Sequence, residues 1–195
     1  MDRQPGHLSS PVKTKSDARR IKILSMGDAG VGKSCLIKRY CEGRFIPEYV
    51  STIGIDYGVK AITKSKEEVK VNFWDIGGAP FYHDIRTEFY KDTDGVLVVF
   101  SVTDASSFDA IPRWMEELKT YGNAQGVTGV LVGNKCDGDE GERVVEVNRA
   151  REVAKGLGLT YFETSAMAGH AVQEMFDYLF DCVLGKLKST AASSA

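Results

Sequence analysis

Residues 27–34 read Gly27-Asp28-Ala29-Gly30-Val31-Gly32-Lys33-Ser34, a G-x-x-x-x-G-K-S loop whose residue types answer the needs of a bound triphosphate. Gly27 and Gly32 bracket a turn in which side chains would hold the backbone away from phosphate oxygens. The N–H groups of Asp28, Ala29, Gly30, Val31, Gly32, Lys33, Ser34 and Cys35 can then converge on those oxygens. The positive end of a helix starting near Gly32 adds to their field. Lys33 supplies a compact cation for the β- and γ-phosphates, and the Ser34 hydroxyl suits the shell of a Mg²⁺ ion. The apolar residues 21–26 precede the loop as a buried strand would, and residues 35–40 continue it as a helix. Together these features imply a nucleoside triphosphate ligand.

A second motif concerns the base. Val130-Leu131-Val132-Gly133 reads as a strand leading into Asn134-Lys135-Cys136-Asp137, an N-K-x-D sequence. A carboxylate at Asp137 can accept hydrogen bonds from the N1–H and 2-amino group of guanine, which adenine cannot offer. The wrong base would leave buried groups unpaired, so such a site discriminates strongly. The aliphatic stem of Lys135 can cover the face of the base. Asn134 is expected to tie this loop to the phosphate loop. After the strand pattern 160–163 comes Glu163-Thr164-Ser165-Ala166. There the Ala166 N–H is expected to meet guanine O6, Thr164 and Ser165 to shape the loop, and Ser165 and Met167 to complete the base contacts. By themselves the last two segments are weak signals; behind a phosphate loop in an alternating chain they reinforce one another.

These residues resemble the Ras superfamily of small GTPases over about residues 20–185, with the Rab branch most similar. The resemblance rests on Ser51-Thr52-Ile53-Gly54-Ile55-Asp56-Tyr57, on Val69-Lys70-Val71-Asn72-Phe73-Trp74-Asp75, and on residues 95–104. It implies that Thr52 senses the γ-phosphate and ligates Mg²⁺, and that Asp75 reaches Mg²⁺ through water. It also implies that Gly78 donates its N–H to the γ-phosphate and that Phe45 packs on the guanine. Segments 54–59 and 89–93, with a substituted glutamine followed by proline, resemble the RJL group of Rab-like GTPases. Several such proteins lack a lipid attachment site, and some carry a J domain after the GTPase; none lies within these 195 residues.

The departure from the pattern bears on catalysis. Where Ras and Rab proteins have W-D-T-A-G-Q-E, this chain has Trp74-Asp75-Ile76-Gly77-Gly78-Ala79-Pro80. The glutamine that orients the attacking water is replaced by Ala79, whose methyl group cannot hold a water. Pro80 removes a backbone donor and stiffens the segment. No clear catalytic side chain remains: His83 is one substitute, against the plainer reading of an exposed helix histidine. Hydrolysis is therefore expected to be very slow unless a partner completes the site.

The surrounding elements must hold these motifs. The expected fold is α/β, a P-loop domain with a six-stranded mostly parallel sheet and five helices. Strands are expected at 21–26, 55–63, 68–74, 95–101, 127–132 and 160–163, and helices at 32–41, 82–90, 106–121, 144–157 and 171–186. Residues 1–19 read as a flexible lead-in, 20–186 as the domain and 187–195 as a flexible tail. Loops 44–54 and 75–81 are the segments whose order could follow the γ-phosphate. Ile53, Trp74, Phe81, Tyr82, Phe89 and Tyr90 divide between core and an effector surface.

Composition excludes several classes. The 195 residues suffice for one core at 43% hydrophobic content, and a net charge of −2 gives no electrostatic case for nucleic acid. Cys35, Cys41, Cys136 and Cys182 lack metal-ligand spacing and read as reduced thiols of a cytoplasmic or nuclear protein. Residues 186–195 contain no cysteine, so no stable prenyl anchor is expected. The expected partners are guanine nucleotide (GTP or GDP) with Mg²⁺, an effector on the two phosphate-sensing loops, and an exchange factor or activating protein. The chain itself is expected to be a monomer. Two function classes remain: a slow hydrolytic switch, and a GTP-dependent binding module in which turnover matters little. An ATP-dependent kinase is opposed by Asn134 and Asp137.

Overall fold

The computed structural model describes residues 18–48, 50–122 and 128–193. The order is β1 (Arg19–Met26), α1 (Lys33–Glu42), β2 (Ile55–Lys64), β3 (Glu67–Ile76), α2 (His83–Thr87), β4 (Gly95–Ser101), α3 (Ala105–Asp109), α4 (Ile111–Tyr121), β5 (Thr128–Asn134), α5 (Val147–Gly156), β6 (Thr160–Thr164) and α6 (Val172–Ser193). The strands form one sheet in the order β2-β3-β1-β4-β5-β6. Only β2, on the edge, runs antiparallel to its neighbour.

Burial explains the strand sequences. All seven residues of β4 are buried, as a central strand covered on both faces requires. Along β1, Ile21 and Ile23 pack with α1 and α6, whereas Leu24 and Met26 pack with α3, α4 and α5. The edge strand β2 has no fully buried residue, because one of its faces stays in water. From β1 the chain turns outward to β2 and β3, then returns across β1 to β4. Between those neighbours, at the carboxyl ends of the strands, an open α/β sheet leaves its crevice.

Several helix limits differ from expectation. The segment expected as one helix at 106–121 is broken at Ala110, where Pro112 in the first turn of α4 cannot donate to the preceding turn. Counted as one interrupted unit, α3 and α4 leave five helices among the described residues. The helix expected at 82–90 shrinks to α2, preceded by a 3₁₀ turn at Pro80–Tyr82, and the one expected at 144–157 begins only at Val147. The tail expected to be flexible from 187 instead continues α6 through Ser193. Leu187 packs against the core, and the flanking lysines and alanines favour helix. The lead-in lies outside the described residues through position 17, as do residue 127 of the expected fifth strand and residues 194–195. Arg19, placed in the lead-in, already pairs with Val69 in the sheet.

Candidate functional site

The phosphate loop leaves β1 at Gly27, and its two outer glycines are sterically required. Gly27 has φ +142°, and an added Cβ would lie 2.1 Å from the Val99 carbonyl oxygen. Gly32 has φ +98°, and its added Cβ would lie 2.2 Å from the Asn134 amide nitrogen. A substitution at either position would distort the loop or push β4 or Asn134 aside. α1 begins immediately afterwards without a side-chain cap, so its first N–H groups are directed toward the loop.

Lys33 is folded back on this loop. Its Nζ donates to the carbonyls of Gly27 (2.7 Å) and Asp28 (2.9 Å). Burial lowers its pKa to about 8, while the charges of Asp75 and Asp28 work in the other direction. Next to it, the Ser34 hydroxyl lies 2.9 Å from that of Thr52 and donates to Asp75 Oδ2. Thr52 Oγ1 lies 3.5 Å from the same carboxylate oxygen. Burial raises the Asp75 pKa against the charge of Lys33, and Oδ1 of Asp75 is buried without a hydrogen-bond partner. Ser34, Thr52 and Asp75 come from α1, the loop before β2, and β3, so three separate segments build one oxygen cluster.

Asn134, at the end of β5, ties the base loops to the phosphate loop. Its Nδ2 donates to the Val31 carbonyl at 2.8 Å. Its Oδ1 accepts from Thr164 Oγ1 at 3.1 Å and from the Ala166 N–H at 3.2 Å. The Ala166 N–H expected to face guanine O6 is thus already paired, and a base must share or replace Asn134 as its acceptor. The loop after β6 is closed by its own bonds: Ser165 Oγ accepts from the Ala168 N–H at 2.8 Å.

These segments surround a cavity of ≈ 440 Å³. Of the expected contact residues, Ala29, Gly30, Gly32, Lys33, Ser34, Cys35, Phe45, Thr52, Gly78, Asn134, Lys135, Asp137, Ala166 and Met167 line it. Asp28, Val31, Ser165 and Asp75 do not. Val31 is in the core, Ser165 and Asp75 support the walls, and the Asp28 carboxylate accepts 2.7 Å bonds from Arg113 and the Trp114 indole on α4. Lys38, Pro47 and Thr103 also line the cavity; Thr103 falls in the segment 95–104 that carries the resemblance, but the sequence marks none of the three as a contact.

The segment around Ala79 is held from behind. Gly78 lines the cavity and Ala79 does not; Pro80 is the first residue of the 3₁₀ turn, where a missing donor costs little. His83, considered as a substitute group, bonds to Asp84 at 3.0 Å and meets Tyr121 edge-on, away from the cavity. Arg86, which sequence reasoning missed, donates to the Ala79 carbonyl at 3.0 Å. It also forms a buried two-bond pair with Glu117 at 2.9 and 2.6 Å. Nothing local distinguishes Arg86 from a surface helix arginine, because its partner lies 31 residues away on α4.

Residues 22–184 match the Ras family. The chain belongs to the Ras family. Among relatives, the DnaJ homolog subfamily C member 27 of Gallus gallus is 46% identical over 169 residues, covering 85% of this chain and 62% of the relative. The Mus musculus protein of that name is 43% identical over 192 residues, covering 94% and 70%. The Homo sapiens protein is 44% identical over 185 residues, covering 90% and 67%. The Ras-family chain thus spans about two thirds of their length, and less than that of the first. This similarity places it with the Rab-like RJL group. No described helix of this Ras-family chain is long and apolar enough to cross a membrane.

Proposed function

We propose that this Ras-family chain is a switch binding GTP and GDP with Mg²⁺, whose own hydrolysis is very slow. The observation that carries the proposal is Asn134. One amide joins the phosphate loop to both base loops around a cavity that Lys33, Asp137 and Phe45 share. The oxygen cluster fits a hard dication: Ser34 and Thr52 offer hydroxyls, and Asp75 has an unpaired oxygen that a bound water could satisfy. Ser34 and Thr52 would hold Mg²⁺, with Asp75 acting through water. When bound, Mg²⁺ neutralises charge on the β- and γ-phosphate oxygens.

The chain's own residues supply the rest. Lys33 exchanges its two loop carbonyls for phosphate oxygens, and that anion further favours the charged form it needs there. Asp137 accepts from N1–H and the 2-amino group, Lys135 covers the base, and Phe45 packs on its other side. Gly78 offers its N–H to the γ-phosphate. Ala79 cannot orient water, and Arg86 is committed to Glu117, so neither assists the attack. Turnover in such proteins is already on the order of 10⁻⁴ per second without an activator, and this site lacks the group that sets even that rate.

The second reading is a binding module that stays mostly GTP-bound. It is favoured by the exposed apolar side chains of Ile53 (80% exposed) and Phe81 (87%), and by the contiguous rings of exposed Tyr57 and half-buried Trp74 and Phe89. An effector on this face, an exchange factor or activating protein, a monomeric state and a cytoplasmic or nuclear location belong to the same proposal. Loading purified protein with GTP and Mg²⁺ and following the bound GTP-to-GDP ratio over many hours tests it. Slow conversion supports the switch, persistence supports the module, and failure to load either nucleotide overturns both.

A further inference from the structure

Arg39 joins the two walls of the base site by bonds that neither loop motif includes. It lies on α1 four residues after the cavity-lining Cys35, on the same helix face. Its Nε donates to the Ala166 carbonyl at 2.7 Å, one terminal nitrogen donates to the Met167 carbonyl, and the other donates to the Gly43 carbonyl at 3.0 Å. Gly43 ends α1 in a left-handed conformation and starts the segment that carries Phe45. One guanidinium thereby ties the Phe45 side of the cavity to the Ala166–Met167 side.

The geometry points to Arg39 as a positioning residue for the guanine ring, a reading that rests on the nucleotide-binding function proposed above. In a trans peptide, the N–H lies opposite the preceding carbonyl. Holding the Ala166 carbonyl on Arg39 therefore turns the Met167 N–H away from the guanidinium, and both Ala166 and Met167 line the cavity. Other bonds of the segment are Gly169 N–H to Ser165 O at 2.8 Å, Ser165 N–H to His170 O at 3.2 Å, Ala166 N–H to Asn134 Oδ1 at 3.2 Å and Cys136 N–H to Thr164 O at 3.1 Å. Asn134 fixes this loop against the phosphate loop, and Arg39 fixes it against the chain entering the Phe45 wall. Only a planar fork with several donors can span three carbonyls, so lysine would keep the charge and lose most of the span.

Removing the clamp loosens contacts at the O6 edge of the base while leaving Asp137 to read N1–H and the 2-amino group. The experiment compares wild type, Arg39→Ala and Arg39→Lys, each loaded with fluorescently labelled GDP and Mg²⁺. It measures release rates and competition by three unlabelled diphosphates. GDP is the reference, 6-thioguanosine diphosphate changes only position 6, and inosine diphosphate lacks only the 2-amino group.

Arg39→Ala is expected to release GDP roughly tenfold faster, the scale of losing charge-assisted hydrogen bonds at a partly exposed site. Its preference for GDP over the 6-thio compound should shrink, its preference over inosine diphosphate should stay, and Arg39→Lys should recover part of the loss. Unchanged release overturns the assignment. So does an equal loss for all three ligands with a lower melting temperature, since that would mark a purely structural arginine. Failure of the wild-type chain to bind GDP would instead overturn the nucleotide-binding reading beneath it.

Discussion

Under the proposed function, Ala79 bears on rate and Asp137 on recognition. If the proposed lack of a water-orienting group at Ala79 limits turnover, Ala79→Gln is expected to raise the single-turnover hydrolysis rate about 10- to 100-fold, the scale of one transition-state contact. An unchanged rate in a quench assay would move the constraint to Pro80 or to the Ala79 carbonyl held by Arg86. Asp137 lines the cavity and supplies the only contact proposed for the 2-amino group. Asp137→Ala should therefore reduce the preference for GDP over ADP by roughly two orders of magnitude or more. Unaltered GDP affinity in competition binding would contradict the base assignment. Both positions stood out in the sequence because each sits in a short motif, and the structure places Asp137 on the cavity wall and Ala79 behind it. Arg39 and Arg86 did not, since their partners lie 127 and 31 residues away.

At the scale of elements, α2 and α4 are joined by a buried charge pair. Arg86 is 1% exposed and Glu117 8%, and the Tyr90 hydroxyl donates to the same carboxylate at 2.9 Å. Arg86 also stacks 4.4 Å over the Trp114 ring, whose indole N–H reaches Asp28 in the phosphate loop. Replacing one partner leaves the other charge buried, so Glu117→Gln is expected to cost about 3–5 kcal/mol in urea unfolding at neutral pH. Burial works to raise the Glu117 pKa, but the hydrogen bonds from Arg86 and Tyr90 and the Arg86 charge outweigh it and leave it below the ordinary 4.5. A depressed carboxyl stabilises the fold fully above that ordinary value and loses the contribution as pH falls through its folded value. Stability measured below pH 4.5 should thus fall less steeply in Glu117→Gln than in the wild-type chain. The sequence placed a helix at 106–121, which includes α4, but it could not pair Arg86 with Glu117.

Across the whole molecule, the site is assembled from loops at the carboxyl ends of β1, β3, β4, β5 and β6, with the segment entering β2 as a further wall. A ligand that engages all of them favours the folded state by mass action. GDP with Mg²⁺ at a hundred times its dissociation constant should add about 2.7 kcal/mol, seen as a higher melting temperature that drops when the metal is chelated. An unchanged melting temperature would mean that the cavity does not take this ligand. The sequence by itself determined the sheet strands, the two loop motifs and the missing glutamine, because hydrophobic period and glycine spacing are local signals. Local signals failed at the helix ends: Pro112 split one helix, and core contact through Leu187 carried α6 past its expected stop. The expected tie from Asn134 to the phosphate loop is present. Tertiary structure alone decided that Asn134 also holds Thr164 and Ala166, that Arg39 bonds to the Ala166, Met167 and Gly43 carbonyls and that Arg86 holds the backbone of Ala79. Each of these depends on a polar side chain meeting a backbone group or hydroxyl elsewhere in the chain, and only the folded chain sets such distances.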